Sequence, residues 1–409
     1  ASAILASLFH PSELYAIAQL KFGGQFSGIK AFRGDLTTLP EDISDIDFCY
    51  AVLNKVSRSF ALVIQQLDDE LKDCVCLFYL VLRGLDSVED DEEVEQERKK
   101  ELLSTFYLKL DEDGWNCPGV GDSVDYRFLM AKFEKVISCC KKLSPEYQDV
   151  IKEITKRMGI GMAKFVGTTS VKTIDDYNEY CHYVAGLVGI GLVKLFAASG
   201  LEDPSIKDQE ELANLMGLFL QKTNIIRDYL EDLEQNRIWW PLELVQKHGF
   251  ETVADVKKDP YSKKSLDVLN DLVGNAVELI PRCLEFMSLL KNEPVFKFCA
   301  IPQVMAMATL QQLYNNPKVF QGVVKIRKGE SCYLMMNSSN NQMLREIFYN
   351  YSESLLSRVR PDHFNSKRTT EVLKSVMKDT EGDVQKGGNG ALVGVVAVVA
   401  IGVATYYFV

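Results

Sequence analysis

Two aspartate pairs at helical spacing define the chemistry open to this chain. Asp86 and Asp90 lie four residues apart in DSVED, and Asp228 and Asp232 repeat that interval in DYLED. Residues four apart stack on one face of a helix, so each pair presents two carboxylates to one ligand. Carboxylate oxygens suit hard divalent cations, and Mg2+ held this way can in turn hold a diphosphate. Both pairs follow apolar runs and have an arginine just upstream, Arg83 and Arg227.

The residues around each pair extend the pattern. Tyr79, Arg83, Asp86 and Asp90 are spaced 4, 3 and 4 along one helical stripe, with Glu89 three after Asp86. A guanidinium there would meet the diphosphate oxygens that a metal leaves over. The acid run 91–97 reads instead as a solvated face. Gln221, Asn224, Asp228 and Asp232 form a second stripe, spaced 3, 4 and 4, flanked by Arg227 and Arg237. In VSRSFALVIQQL, Ser57, Arg58 and Ser59 head an apolar helix whose N-terminus favours anions, or they form a plain N-cap. The run 176–196 offers Tyr180 and Tyr183 for proton handling or cation stabilisation, with His182 as a structural hydrogen-bonder. Its glycines 186, 189 and 191 each cost about 1 kcal/mol against alanine in a helix, which implies close helix packing or a chain-like ligand lying against the backbone.

Almost every segment before residue 360 has helical apolar periodicity, and the two similar aspartate layouts imply facing helices around a shared cavity. The expected fold class is therefore all-α, as one domain. KVFQGVVKI (318–326) is the best strand candidate. With 409 residues, 47% hydrophobic, the chain can bury a large core, and a net charge of −11 argues against a nucleic-acid partner. Ten cysteines without metal-ligand spacing read as reduced thiols, and four histidines make a zinc site or a Ser-His-Asp triad improbable. Residues 391–409 are uncharged, Val- and Ala-rich and follow GGNG. As a helix they would be about 28 Å long, one hydrocarbon thickness, and they read as a membrane span.

Seven segments, VSRSFALVIQQL, FYLVLRGLDSVEDD, MGIGMAKF, YCHYVAGLVGIGL, GLFLQKTNIIRDYLED, VFKFCAIPQVMA and VFQGVVKIRKG, resemble the squalene synthase family in order. The resemblance covers about residues 45–360 and the apolar C-terminus. It implies the isoprenoid-synthase helical fold and head-to-head coupling of two farnesyl diphosphates to presqualene diphosphate. NADPH-dependent reductive rearrangement to squalene then follows. The resemblance makes Asp86, Glu89 and Asp90 one Mg2+ site and Asp228 and Asp232 another. Arg58, Arg83 and Arg227 would bind diphosphate or NADPH phosphates, with Tyr79, Gln221, Asn224 and Arg237 on the substrate side. Tyr180 matches the proton-abstracting tyrosine of the first half-reaction, and Phe298 the aromatic that shields the carbocation of the second. Lys325 and Arg327 match the basic pair assigned to NADPH. No GxGxxG opens a βαβ unit, so the nicotinamide site rests on the resemblance alone.

The implied organisation is an N-terminal extension (1–40), a catalytic domain (41–361), a linker (362–390) and a transmembrane tail (391–409). The implied state is a monomer, tail-anchored in the endoplasmic reticulum membrane with its catalytic domain in the cytosol. GVGDSVDYR (119–127) departs from relatives, which often carry a lysine near the loop over the cavity. A synthase that stops at presqualene diphosphate or makes another C30 product, and a phytoene or dehydrosqualene synthase, are the neighbouring readings. A non-catalytic scaffold is disfavoured because no motif aspartate is lost and Tyr180 is kept.

Overall fold

The computed structural model describes residues 34–387 apart from 169, together with residues 10, 12, 13, 15, 16, 19 and 32; the side chains of 58, 59 and 385–387 lie outside that description. Helices α1 (Asp45–Val56), α2 (Arg58–Ile64), α3 (Asp69–Asp90) and α4 (Gln96–Lys109) are followed by α5 (Val124–Ala131), α6 (Glu134–Cys140) and α7 (Pro145–Phe165). Next come α8 (Ile174–Cys181), a π turn over His182–Gly186, α9 (Leu187–Ser199), α10 (Glu210–Arg227) and α11 (Tyr229–Glu234). The remainder is α12 (Leu242–Lys247), α13 (Lys263–Val277), α14 (Ile280–Leu289), α15 (Glu293–Leu313), α16 (Lys328–Met336), α17 (Asn341–Leu356) and α18 (Ser366–Gly387). The described residues contain no strand, in agreement with an all-α fold.

Helix α10 is the central rod, packed against α8, α9, α13, α14 and α15. Missing side chains make its approach to α9 possible. A Cβ on Gly189 would lie 2.3 Å from the Ala213 carbonyl oxygen, and one on Gly217 would lie 2.3 Å from that of Ala185. Glycine is thus required for the two backbones to touch. The π turn widens the helix here, and His182 Nδ1 lies 2.7 Å from Asn214 Oδ1 across the same junction, the structural role expected of it. Ile174–Ser199 is long and apolar enough to cross a membrane. Here that apolar surface packs against α3, α7 and α10.

Several expectations need correction at element boundaries. The KVFQGVVKI segment begins as a 3-10 turn, Pro317–Phe320, because Asn316 caps it and Pro317 occupies its first position. The polar stretch read as a linker is helical over Ser366–Gly387. It lies along α17, where Arg345 Nε donates to Asp383 at 2.7 Å, and its start is tied to α13 by an Arg368–Glu278 pair at 2.6 Å. Its mean composition is polar, yet Leu373 and Val376 are buried, and periodicity at that low density is easily overlooked. The apolar run 391–409 lies outside the described residues. All ten cysteines are free thiols.

Candidate active site

Helices α3 and α10 bring their polar ends together over one cleft of about 630 Å3, lined by Glu89, Asp90, Asp228 and Asp232 among others. Beneath it lies an apolar cavity of about 280 Å3, walled by Phe60, Phe78, Met158, Phe196, Phe286 and Phe298. Arg83, Gln221 and Asn224 border both spaces, and Asp86 and Tyr79 border the apolar one. A third groove of about 600 Å3 runs alongside α15 and includes Asn224, Arg227, Asp228 and Lys325. Phe60, Leu220 and Pro302 separate that groove from the apolar cavity.

Three arginines organise the carboxylates. Arg83 Nη2 donates to Asp90 at 3.0 Å and Nη1 lies 3.6 Å from Asp86, while the guanidinium sits 4.5 Å above the Tyr126 ring. Arg237 spans the cleft, with Nη2 3.0 Å from Asp232 and Nη1 3.4 Å from Asp90. It therefore joins the two motifs into one network. Arg227 forks onto its neighbour Asp228 at 2.8 and 2.6 Å. Nε of both Arg83 and Arg237 is buried without an acceptor. Buried donors of this kind are costly when unpaired, and an anion in the cleft would satisfy them.

The electrostatics favour a bound cation as well. Burial pushes the Asp86 carboxyl up to about 6, Arg83 pulling against it and Asp90 adding to it. Burial likewise raises Glu89 well above the usual carboxylate range, helped by Asp90 and Asp86. Asp232 is pushed up to about 6, again by burial, against the pull of Arg237. Burial outweighs the guanidinium charge beside these acids, although no three of the described acidic, histidine or cysteine side chains form a ready-made metal cage. Their oxygens nevertheless fit Mg2+, which takes one or two carboxylates and completes its shell with water and phosphate. For Arg83, Arg227 and Arg237, burial opposes the charge but the acids around each outweigh it, so all three are held more firmly cationic.

Tyr180, on the last turn of α8, borders the cleft between Phe165 at 5.2 Å and Trp239, on which it stacks at 3.8 Å and 11°. Burial, then Glu89 and Asp90, raise its phenol well above the ordinary tyrosine range, so it is neutral at physiological pH. Burial raises Tyr79 to about 12. Phe298 meets Phe196 edge-on at 6.3 Å in the apolar wall. The structure thus gathers Tyr79, Arg83, Asp86, Glu89, Asp90, Tyr180, Gln221, Asn224, Arg227, Asp228, Asp232, Arg237 and Phe298 around two connected spaces. Lys325 lines the groove next door, but Arg327 does not. Arg327 pairs with Glu13 at 2.6 Å and Glu330 at 3.2 Å. The Arg58 side chain lies outside the description.

Some contributors carried no sequence signal of their own. Asp91 is buried and accepts from the Gly121 amide at 2.7 Å, anchoring the 119–127 loop at the cleft. Tyr126 meets the site from the first turn of α5 and Trp239 from the loop before α12. Lys99 lines the cleft from α4 and donates to the Glu89 carbonyl at 2.7 Å.

A fold of helices around an apolar cavity capped by two acidic clusters is the architecture of an all-α prenyl-diphosphate enzyme, and comparison with known proteins agrees. The squalene/phytoene synthase model matches residues 53–330. Squalene synthase of Mus musculus is 42% identical over 369 residues, 90% of this chain and 86% of that protein. Squalene synthase 1 of Arabidopsis thaliana is 45% identical over 334 residues, 81% of this chain and 80% of that one. A solved complex of TcSQS with a ligand superposes with a TM-score of 0.80 at 40% identity, covering 83% of this chain and 99% of that one. The chain belongs to the squalene/phytoene synthase family.

Proposed function

We propose that this chain is a squalene-forming synthase. It couples two farnesyl diphosphates head to head to presqualene diphosphate, then reduces and rearranges that intermediate to squalene. The observation that carries the reading is the pair of acidic clusters, held together by Arg237 and furnished with unpaired Nε donors on Arg83 and Arg237, directly above an apolar cavity. Supporting it are the squalene synthases that match most of the chain.

Mg2+, when bound by Asp86, Glu89 and Asp90 and by Asp228 and Asp232, neutralises diphosphate and makes it a leaving group. Arg83, Arg227 and Arg237 supply further positive charge and bidentate hydrogen bonds at the same place. Gln221 and Asn224, at the mouth of the apolar cavity, orient the allylic carbon below the cleft. Tyr180 is neutral, so a proton taken by its hydroxyl must leave as it arrives, and the diphosphate released in the same cleft is the base that can receive it. The aromatic walls, including Phe298, exclude water that would quench a carbocation to an alcohol. NADPH supplies the hydride of the second step. In this reading it takes the groove beside α15 that Lys325 lines, and Arg327 would exchange Glu13 for a phosphate. Residues 41–361 form the catalytic unit in this reading. The 391–409 run would hold it at the endoplasmic reticulum membrane, where an oily product partitions.

Incubation of the full chain with farnesyl diphosphate and Mg2+, with and without NADPH, tests the assignment. Squalene with NADPH and presqualene diphosphate without it are expected. A C40 product, or one product regardless of NADPH, would overturn it.

A further inference from the structure

Helix α15 carries a proline in its interior, Pro302. Proline has no N–H, so the carbonyl four residues back, that of Phe298, loses its normal helical donor. Phe298, Cys299, Pro302 and Gln303 all line the apolar cavity. The residue after the proline brings a second acceptor. Gln303 is 2% exposed, and its Nε2 donates to the Met216 carbonyl at 3.3 Å, which distinguishes its two terminal atoms. Its Oε1 is buried and has no donor.

Both features are unfavourable for folding alone. An interior proline costs helix stability, and a buried oxygen without a donor costs its desolvation. They lie on adjacent residues of a mainly apolar lining whose other polar groups, Tyr79, Arg83, Asp86, Gln221 and Asn224, come from α3 and α10. The charged residues bordering the cavity are Arg83 and Asp86, at the mouth shared with the diphosphate cleft, and that charge is committed to the leaving group and its metal rather than to the cation left behind. A cation in this cavity needs the negative ends of dipoles, and a water molecule cannot serve because it would add to the cation. Pro302 also borders the groove proposed for the reductant, so this wall faces the cation that a hydride must reach.

We propose that the Phe298 carbonyl freed by Pro302 and the Gln303 carboxamide oxygen form a dipole pair that stabilises the carbocation of the second half-reaction. No bond forms to either oxygen and neither takes a proton; they act through charge alone. The proposal rests on the squalene-forming reading.

The test follows presqualene diphosphate formation and consumption in single turnovers of the full chain, its Q303L and size-matched Q303M variants, and P302A. In P302A the new backbone N–H occupies the Phe298 carbonyl. Each variant is expected to consume presqualene diphosphate about 10²-fold more slowly, the loss typical when one preorganised dipole is removed from a charge-stabilising site. Formation of presqualene diphosphate stays unchanged, and the fraction quenched to C30 alcohols rises. The thermal midpoint of P302A holds or rises, since an interior proline is removed, and those of the Gln303 variants stay close to the parent, since the lost Met216 hydrogen bond is offset by removal of an unpaired acceptor. Variants that consume the intermediate at the parent rate would overturn the proposal. So would a parallel loss of both steps and of the midpoint, which marks a packing role, or fewer alcohols in Q303L, which marks a bound water. A parent chain that makes no C30 product sinks the functional reading itself, before any variant is compared.

Discussion

Helix α3 carries Asp86, Glu89 and Asp90 on its own last turns, whereas α10 stops at Arg227 and the second aspartate pair straddles the turn into α11. The first wall is one unbroken helix whose guanidinium contacts are uneven: Asp90 meets Arg83 at 3.0 Å and Arg237 at 3.4 Å, whereas Asp86 has Arg83 only at 3.6 Å. In the second wall Asp228 is clamped by the adjacent Arg227, and Asp232 is shared with Arg237. The difference suggests that the first wall is poised for a cation, while the second holds its arginines until an anion arrives to take them.

Removing one carboxylate from either wall is the strongest way to break this picture. D86N and D228N should each lower turnover by about 10³-fold, since both metal charge and the arginine lattice depend on them. The contrast predicts different rescue. Excess Mg2+ should recover part of D86N, whose loss is metal affinity, and little of D228N, whose loss frees Arg227. Equal rescue, measured as initial rate against Mg2+ concentration, would erase the distinction.

The bridge between the walls comes next. R237M should cost about 10² in kcat/KM, because it removes the tie between Asp90 and Asp232 and, in the proposed reaction, a diphosphate donor. It also leaves two acids facing each other, so the ligand-free chain should lose about 2 kcal/mol of stability. Mg2+ should restore much of that loss in thermal unfolding. A variant equally stable with and without Mg2+ would show that Arg237 does not balance the two acids.

Acidity offers a subtler probe. The Asp86 and Asp232 carboxyls rise to about 6 in the folded chain from an ordinary 3.8. A raised carboxyl favours the fold while protonated, so this contribution is complete below about pH 4 and fades as pH rises through about 6. Metal binding runs the other way, because protons must leave. The half-saturating Mg2+ concentration should therefore rise about tenfold per proton displaced for each unit below pH 6. A flat dependence between pH 5 and 7.5 would mean that neither acid binds the metal.

The two walls were not equally legible. The first is an unbroken helix, so a spacing of four translated directly into a shared face. The second spacing holds only loosely, because α10 ends inside it, and the arginine pairing there depends on Arg237 arriving through a turn. Apolar periodicity likewise marks the long helices α7, α15 and α17, whereas the sequence of α18 reads as a polar connection because only sparse positions such as Leu373 and Val376 are buried. Pro302 stood in plain view within a helical pattern, but its meaning needs the cavity beside it. Trp239 and Asp91 act from loops that no periodicity marks, and Tyr126 sits on the first turn of the short helix α5, whose link to Arg83 needs the fold. Arg327 is a motif residue whose pairing with Glu13 no sequence spacing foretells.

The smallest expected effect concerns the ring under Arg83. Tyr126 holds that guanidinium at 4.5 Å from its centroid, and no ring in a cation–π contact supports Arg227 among the described residues. A half-buried cation–π contact is worth about 1 kcal/mol. Y126L should thus raise KM for farnesyl diphosphate about fivefold with kcat nearly unchanged, because the ring positions Arg83 without touching the reacting carbon. Y126F keeps the ring face and should behave as the parent chain. If Y126F lost as much as Y126L, the hydroxyl and not the ring would support the first wall.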